Sequence, residues 1–194
     1  MPHVNVEGPA GQLEVRVDGD SPGNIGAVLC HPHPLYGGSM DDMVLEAMSR
    51  PLLDAGFQVA RFNFRGVGHS EGQHDDGKGE VDDVLAVVAW MREQGVEKVI
   101  LGGYSFGAVV ALSACHLANP EKLWLVAPPV SMLGENLNQP DVPCTVVLGD
   151  SDQFVDATEV ESWFNNASVS ILPHTDHFFF GQHDRISTLF GETL

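Results

Sequence analysis

The sequence predicts an α/β fold with a mostly parallel central sheet of about seven or eight strands and helices on both of its faces. Apolar runs such as residues 25–30 are continuous rather than alternating, as expected of strands that are covered on both sides. Helical patterns separate most of these runs, which indicates parallel strands joined by right-handed crossovers. At 194 residues, the chain has the size of one domain, residues 1–194.

The individual elements follow from periodicity and from stop signals. Residues 13–17 alternate apolar and charged side chains, which predicts a half-exposed edge strand. A helix is predicted at residues 41–54, ended by Gly56, with Pro51 expected to kink or restart it. The other predicted strands span residues 25–30, 57–64, 98–102, 123–127, 145–148 and 169–172. The other predicted helices span residues 80–93, 106–118, 156–164 and 185–194.

Composition excludes several classes of partner. The chain carries 27 acidic and nine basic residues, a net charge of −18, so we expect no binding to nucleic acid or to anionic membranes. The same charge leaves selection of cationic substrates open. No apolar run approaches the roughly 18 residues of a membrane helix, and the first eight residues do not resemble a signal peptide. Three cysteines without a close pair are typical of reduced thiols, so a cytoplasmic location is expected.

The most informative segment is Gly103-Tyr104-Ser105-Phe106-Gly107. An apolar strand-like run precedes it and a helical pattern follows, which is the context of a nucleophile elbow, where a serine sits at a sharp strand-to-helix turn. The unpaired backbone N–H groups of the helix N-terminus lie beside the serine oxygen in such a turn. Ser105 is therefore the predicted nucleophile of a serine hydrolase.

The same Gly-x-Ser-x-Gly pattern occurs a second time, as Gly68-His69-Ser70-Glu71-Gly72. The residues that follow it are polar and rich in glycine and aspartate, which is typical of a loop. Because no helix is predicted to begin at Ser70, we interpret this copy as the end of a loop.

Candidate partners for Ser105 follow two later predicted strands. A serine hydroxyl needs a base, and the base needs a carboxylate that orients it. Asp150 and Asp152 follow the strand at 145–148, and His174 and His177 follow the strand at 169–172. The carboxyl ends of parallel strands meet at one edge of the sheet, so these loops are expected near Ser105. Spacing alone leaves both pairs of candidates open.

At this point the chain resembles the α/β-hydrolase superfamily over nearly its whole length, in particular small cap-less bacterial hydrolases related to dienelactone hydrolases, carboxylesterases and thioesterases. The pattern Gly-x-x-Asp-x-x-Val of these enzymes matches Gly149, Asp152 and Val155, with Asp152 as the acid. Their histidine, which is followed by aromatic residues, matches His177. The resemblance therefore implies the triad Ser105, Asp152 and His177.

The segment at residues 31–38 resembles the oxyanion loop of the same enzymes. The oxyanion would be bound by the backbone N–H of Phe106 and by one N–H of this loop. Proline has no N–H, which leaves His33 or Leu35 as the second donor. His31 and His33 suggest a metal site only weakly because a metal needs three or four converging ligands. We expect neither a metal nor another cofactor.

The predicted function is hydrolysis of small acyl esters or thioesters through an acyl-enzyme. Residues 128–144 are too few for a cap domain, so we expect an open site, with Phe178, Phe179 and Phe180 as core residues or as an acyl-pocket wall. The alternatives are a peptidase, a hydrolase of carbon–carbon or lactone bonds, and a binding protein that retains the fold. The expected partner is a small-molecule ester or thioester, and the oligomeric state is not encoded in these patterns.

Overall fold

The described residues of the chain form one mixed sheet. A computed structural model describes residues 3–19, 23–132 and 138–194. The strands lie in the order β1-β2-β4-β3-β5-β6-β7-β8. They are β1 His3–Gly8, β2 Gly11–Asp18, β3 Ile25–Cys30, β4 Gln58–Phe62, β5 Lys98–Tyr104, β6 Lys122–Val126, β7 Cys144–Gly149 and β8 Ser168–Leu172. β2 pairs antiparallel with β1 and β4, and the remaining pairs are parallel. The predicted mostly parallel sheet of seven or eight strands is confirmed.

Strand β1 is missing from the sequence-based prediction. It pairs antiparallel with β2, with Val6 opposite Leu13, and the two strands form an edge hairpin. Only Val4 and Val6 are apolar in β1, and of the two only Val6 is buried. Such a short alternation is a weak signal, and the pairing with β2 is what makes the segment a strand.

In the described part of the chain, five helices cover the sheet. They are α1 Met43–Asp54, α2 Lys78–Glu93, α3 Phe106–Ala118, α4 Ala157–Trp163 and α5 His183–Gly191. The chain moves from β3 to β4 in one direction along the sheet and from β4 to β5 in the other. Right-handed crossovers therefore place α1 on one face and α2 on the opposite face. α5 packs against α1, and α3 packs against α2, so both faces are covered as predicted.

Helix α1 continues through Pro51, so the predicted restart at this residue is wrong. Proline lacks the N–H that would bond to the carbonyl four residues earlier, at Ala47. The Ser187 hydroxyl of α5 donates a hydrogen bond of 2.7 Å to that carbonyl. A tertiary contact thus satisfies the group that Pro51 leaves free, and α1 remains one helix.

The core is continuous and apolar. Trp124 of β6 is fully buried and stacks on Phe190 of α5, with ring centroids 4.5 Å apart. All three cysteines are buried and unpaired. In the described segments, no helix combines the length and the apolar character that crossing a membrane requires.

The connection between β6 and β7 is where the sequence predicts that a cap is absent. Its described part contains a short 3₁₀ turn, Val130–Met132. Residues 133–137, which belong to the same prediction, lie outside the described residues.

Candidate active site

Ser105 lies at the junction of β5 and α3, as the sequence predicts for a nucleophile elbow. Its backbone has φ 54° and ψ −119°, a conformation that residues other than glycine rarely adopt. Such a conformation costs about 1–3 kcal/mol and persists only where the surrounding structure enforces it. Strained residues of this kind cluster at functional sites.

The glycines on either side of Ser105 allow the close approach that the turn requires. A Cβ on Gly103 would collide with the backbone carbonyl of Gly107. A Cβ on Gly107 would collide with the carbonyl oxygens of Cys30 and His31 at the end of β3. The glycine spacing therefore follows from packing between the strand, the helix and the neighbouring loop.

The structure brings Ser105, His177 and Asp152 together. His177 Nε2 lies 3.0 Å from Ser105 Oγ, and His177 Nδ1 lies 2.7 Å from Asp152 Oδ2. A carboxylate only accepts, so Nδ1 carries the proton and Nε2 is free to accept from the serine hydroxyl. The side chain of Asp152 is 1% exposed, and its other oxygen accepts from the backbone N–H groups of Phe154 and Val155.

The competing acid and base candidates lie outside this arrangement. Asp150 is exposed and accepts hydrogen bonds from the Ser151 hydroxyl and the Thr175 N–H. The bond from Ser151 is the main cause of the lowered pKa of the Asp150 carboxyl. His174 is also exposed. Asp152 and His177 are the members of each pair that face Ser105.

Tyr104 is part of the site although no sequence pattern indicates it. Its hydroxyl donates a hydrogen bond of 2.7 Å to the backbone carbonyl of His177. Burial is the main cause of the raised pKa of the Tyr104 phenol, which therefore remains protonated as a donor. The residue next to the serine thus fastens the loop that carries the histidine. The pattern Gly-x-Ser-x-Gly leaves that position open and carries no such signal.

In the loop at residues 31–38, the backbone N–H groups of the two candidate donors His33 and Leu35 have different hydrogen bonds. The N–H of Leu35 donates to His33 Nδ1 at 3.2 Å, and the Leu35 side chain is 70% exposed. The Leu35 N–H is therefore engaged within the loop, which disfavours Leu35 as an oxyanion donor. Within the described residues, the backbone N–H groups of His33 and Phe106 have no hydrogen-bond partner, and both residues line the cavity at Ser105.

His31 anchors this loop to the residues that follow β4. Its ring is fully buried, with Nδ1 2.6 Å from the carbonyl of Pro32 and Nε2 accepting from the N–H of Phe64 at 3.0 Å. Burial lowers the pKa of His31 to about 4. Both ring nitrogens are engaged, so neither is available to a metal. Among the described residues, no three His, Cys, Asp or Glu side chains are arranged to hold a metal ion.

The second Gly-x-Ser-x-Gly copy has a structural role, as its loop context predicts. The Ser70 hydroxyl donates to the carbonyl of Asn63 at 2.6 Å and accepts from the N–H of Glu14 at 2.9 Å. These bonds tie the loop to the edge of the sheet. No helix begins at Ser70.

A cavity of about 650 Å³ opens at Ser105 and His177. Aromatic and apolar side chains form much of its wall, including Tyr36, Met132 and Phe178. Among the described residues of the wall, Asp42, which caps the N-terminus of α1, is the acidic one, and burial raises the pKa of its carboxyl. Of the three consecutive phenylalanines, Phe179 is fully buried in the core, whereas Phe178 lines the cavity and Phe180 is exposed.

Fold and site together define a serine-hydrolase type of architecture, and the comparisons with known proteins agree with it. Residues 28–141 match the alpha/beta hydrolase fold family. A lid-less α/β serine hydrolase from Xanthomonas campestris is 34% identical, with a TM-score of 0.91 over 98% of this chain and 92% of that chain. An α/β serine hydrolase homologue from Coxiella burnetii is 33% identical, with a TM-score of 0.92 over 100% and 97%. Uncharacterized protein RP471 of Rickettsia prowazekii (strain Madrid E) is 32% identical over 100% of this chain and 89% of its own length.

The family match covers more than half of the sequence. This chain belongs to the α/β-hydrolase fold family, as the resemblance of its motifs implies.

Proposed function

We propose that this protein is a serine hydrolase that cleaves small acyl esters or thioesters. One observation carries the proposal: the His177 imidazole lies 3.0 Å from the Ser105 hydroxyl and 2.7 Å from the Asp152 carboxylate. A serine hydroxyl is a weak nucleophile until an adjacent base removes its proton. An elbow backbone with positive φ and a cavity at the hydroxyl further support this role.

The proposed reaction has two halves. Ser105 Oγ attacks the carbonyl carbon while His177 Nε2 takes its proton, and Asp152 stabilises the resulting imidazolium. The N–H groups of Phe106 and His33 bind the oxyanion, and each such donor contributes roughly 2.7–4 kcal/mol in characterised hydrolases. His177 then protonates the departing alcohol or thiol, and water repeats the same steps to release the acid from Ser105.

The test combines covalent labelling with kinetics. A fluorophosphonate probe should label Ser105 in the wild-type protein, and hydrolysis of p-nitrophenyl acetate should fall by about 10³-fold or more in Ser105→Ala and His177→Gln. His174→Gln is the matched control because His174 is exposed on the same loop. An unlabelled wild-type protein without esterase activity would contradict the proposal and favour a binding protein with this fold.

A further inference from the structure

Two exposed phenylalanines lie beside the candidate triad. Phe154 follows Asp152 in one loop, Phe178 follows His177 in another, and they are 62% and 48% exposed. Their rings meet edge to face with centroids 6.3 Å apart. We call these two residues the aromatic pair. Large apolar side chains held together at a cavity mouth indicate a contact surface for an apolar group.

The aromatic pair surrounds the imidazole that would transfer the proton. The ring centroid of Phe154 is 5.1 Å from that of His177, and the centroid of Phe178 is 5.9 Å from it. Both residues line the cavity that contains Ser105. The aromatic pair and the Ser105 hydroxyl therefore line the same cavity.

The path of the proton indicates whether the alcohol or the acyl group of the ester contacts the aromatic pair. The atom that leaves must come within hydrogen-bond reach of His177 Nε2, since this nitrogen returns the proton. The group attached to that atom must then lie against the side chains that flank the imidazole. The carbonyl oxygen, in contrast, faces the N–H groups of Phe106 and His33. The aromatic pair is thus placed to contact the alcohol and not the acyl group.

The charge of the cavity further limits which alcohols this subsite can accept. Among the described residues that line it there is no lysine or arginine, whereas Asp42 contributes a carboxyl group. The whole chain adds a net charge of −18. A phosphorylated leaving group would find no cation here and would be repelled. An uncharged apolar alcohol can pack against the rings of Phe154 and Phe178 without electrostatic repulsion.

We propose that Phe154 and Phe178 form the leaving-group subsite and select esters of arylalkyl alcohols over esters of small polar or phosphorylated ones. This inference rests on the proposed function. In the reaction, the bond between Ser105 Oγ and the acyl carbon forms, the bond from that carbon to the alkoxy oxygen breaks, and the serine proton reaches the alkoxy oxygen through His177. The arylalkyl alcohol leaves over the aromatic pair, and water releases the acid in the second half.

The experiment uses two isomeric esters that carry the same ring on opposite sides. Benzyl acetate places the ring on the alcohol, methyl phenylacetate places it on the acyl group, and methyl acetate is the reference without a ring. In Phe154→Ala and Phe178→Ala, the ratio of kcat/KM for benzyl acetate to that for methyl acetate should fall about tenfold, because an aromatic contact is lost. The ratio for methyl phenylacetate to methyl acetate should stay at the wild-type value.

Leu117→Ala is the control variant because Leu117 of α3 is 67% exposed and is not among the described residues that line the cavity, so both ratios should be unchanged. Equal losses on all three esters would overturn the inference, since the aromatic pair would then only support His177. A loss confined to methyl phenylacetate would overturn it by assigning the pair to the acyl group. In both cases fluorophosphonate labelling of Ser105 would still support the proposed function. Failure of the wild-type protein to be labelled or to hydrolyse any of the esters would overturn both.

Discussion

Gly107 of α3 lies so close to the backbone carbonyl of Cys30 in β3 that no side chain fits between them. This contact joins the helix that starts at the candidate nucleophile to the strand that leads into the predicted oxyanion loop. A methyl group at position 107 would push α3 away from β3. The distance between the two predicted oxyanion donors, the N–H groups of Phe106 and His33, therefore depends on the glycine at this position.

Gly107→Ala should destabilise the protein although alanine is the better helix former. Helix propensity favours alanine by about 1 kcal/mol, whereas forcing atoms into a packed interior costs about 1–3 kcal/mol and more when backbone must move. We expect a net loss of about 2 kcal/mol in the free energy of unfolding, measured in urea, together with a large loss of kcat. Gly191→Ala in α5 is the control because its Cβ would make only an ordinary contact with Pro51. Equal stability of the two variants would contradict this prediction.

Asp152→Asn should lower kcat by about 10³–10⁴-fold while leaving the fold intact. The amide cannot stabilise the imidazolium and favours the tautomer of His177 in which Nε2 carries the proton. The measurement is steady-state hydrolysis of p-nitrophenyl acetate, with circular dichroism to verify folding. Asp150→Asn removes a carboxylate two residues away that does not contact His177, and its kcat should stay close to that of wild type. Comparable losses in both variants would reopen the choice of acid.

Tyr104→Phe should cost about 1–3 kcal/mol in the free energy of unfolding. The substitution keeps the ring but leaves the buried carbonyl of His177 without its donor. Hydrolysis should also slow, because the loop that carries His177 loses its anchor. Tyr36→Phe is the control for stability, since Tyr36 is 88% exposed. Urea unfolding of both variants checks the prediction, and a stability of Tyr104→Phe equal to that of wild type would refute it.

Acid should destabilise the protein through His31. Its pKa is about 4 in the folded state and about 6.5 in an unfolded chain, so the unfolded state binds the extra proton between these values. The contribution of the neutral imidazole is present above pH 6.5 and is lost as the pH falls towards 4. Between pH 7 and pH 5 this group alone should remove about 2 kcal/mol.

His31→Gln isolates this contribution from the other titrating groups. The glutamine amide oxygen can accept from the Phe64 N–H, but it does not titrate. The decline in the free energy of unfolding from pH 7 to pH 5 should therefore be smaller in the variant by about 2 kcal/mol. Parallel declines would show that burial of His31 does not control acid stability.

The sequence was sufficient to place the candidate triad at one edge of the sheet. Ser105, Asp152 and His177 each follow a separate apolar strand, and parallel strands end on the same side. The glycine spacing and the helical pattern after Ser105 also separated it from Ser70, because loop and helix differ in composition. Periodicity and topology predict that these loops meet at one edge, whereas the choice of Asp152 over Asp150 and of His177 over His174 follows from the resemblance to α/β-hydrolases.

Other features depend on contacts between distant residues and could not be predicted. The Leu35 N–H is unavailable because it bonds to the His33 ring, which is a detail of loop conformation. Tyr104 became part of the site only through its contact with a carbonyl 73 residues away. Helix α1 continues past Pro51 because Ser187 reaches the freed carbonyl. In each case a specific side-chain contact, which no sequence pattern encodes, determines the structure.

The three buried cysteines have a practical consequence for labelling. Burial is the main cause of the raised pKa of the Cys30, Cys115 and Cys144 thiols, which keeps them protonated and poorly nucleophilic. A cysteine introduced at an exposed position, such as Glu161→Cys in α4, would react with maleimide dyes far faster than the native thiols. Fluorophores and spin probes can therefore be attached at chosen points while every natural cysteine is retained.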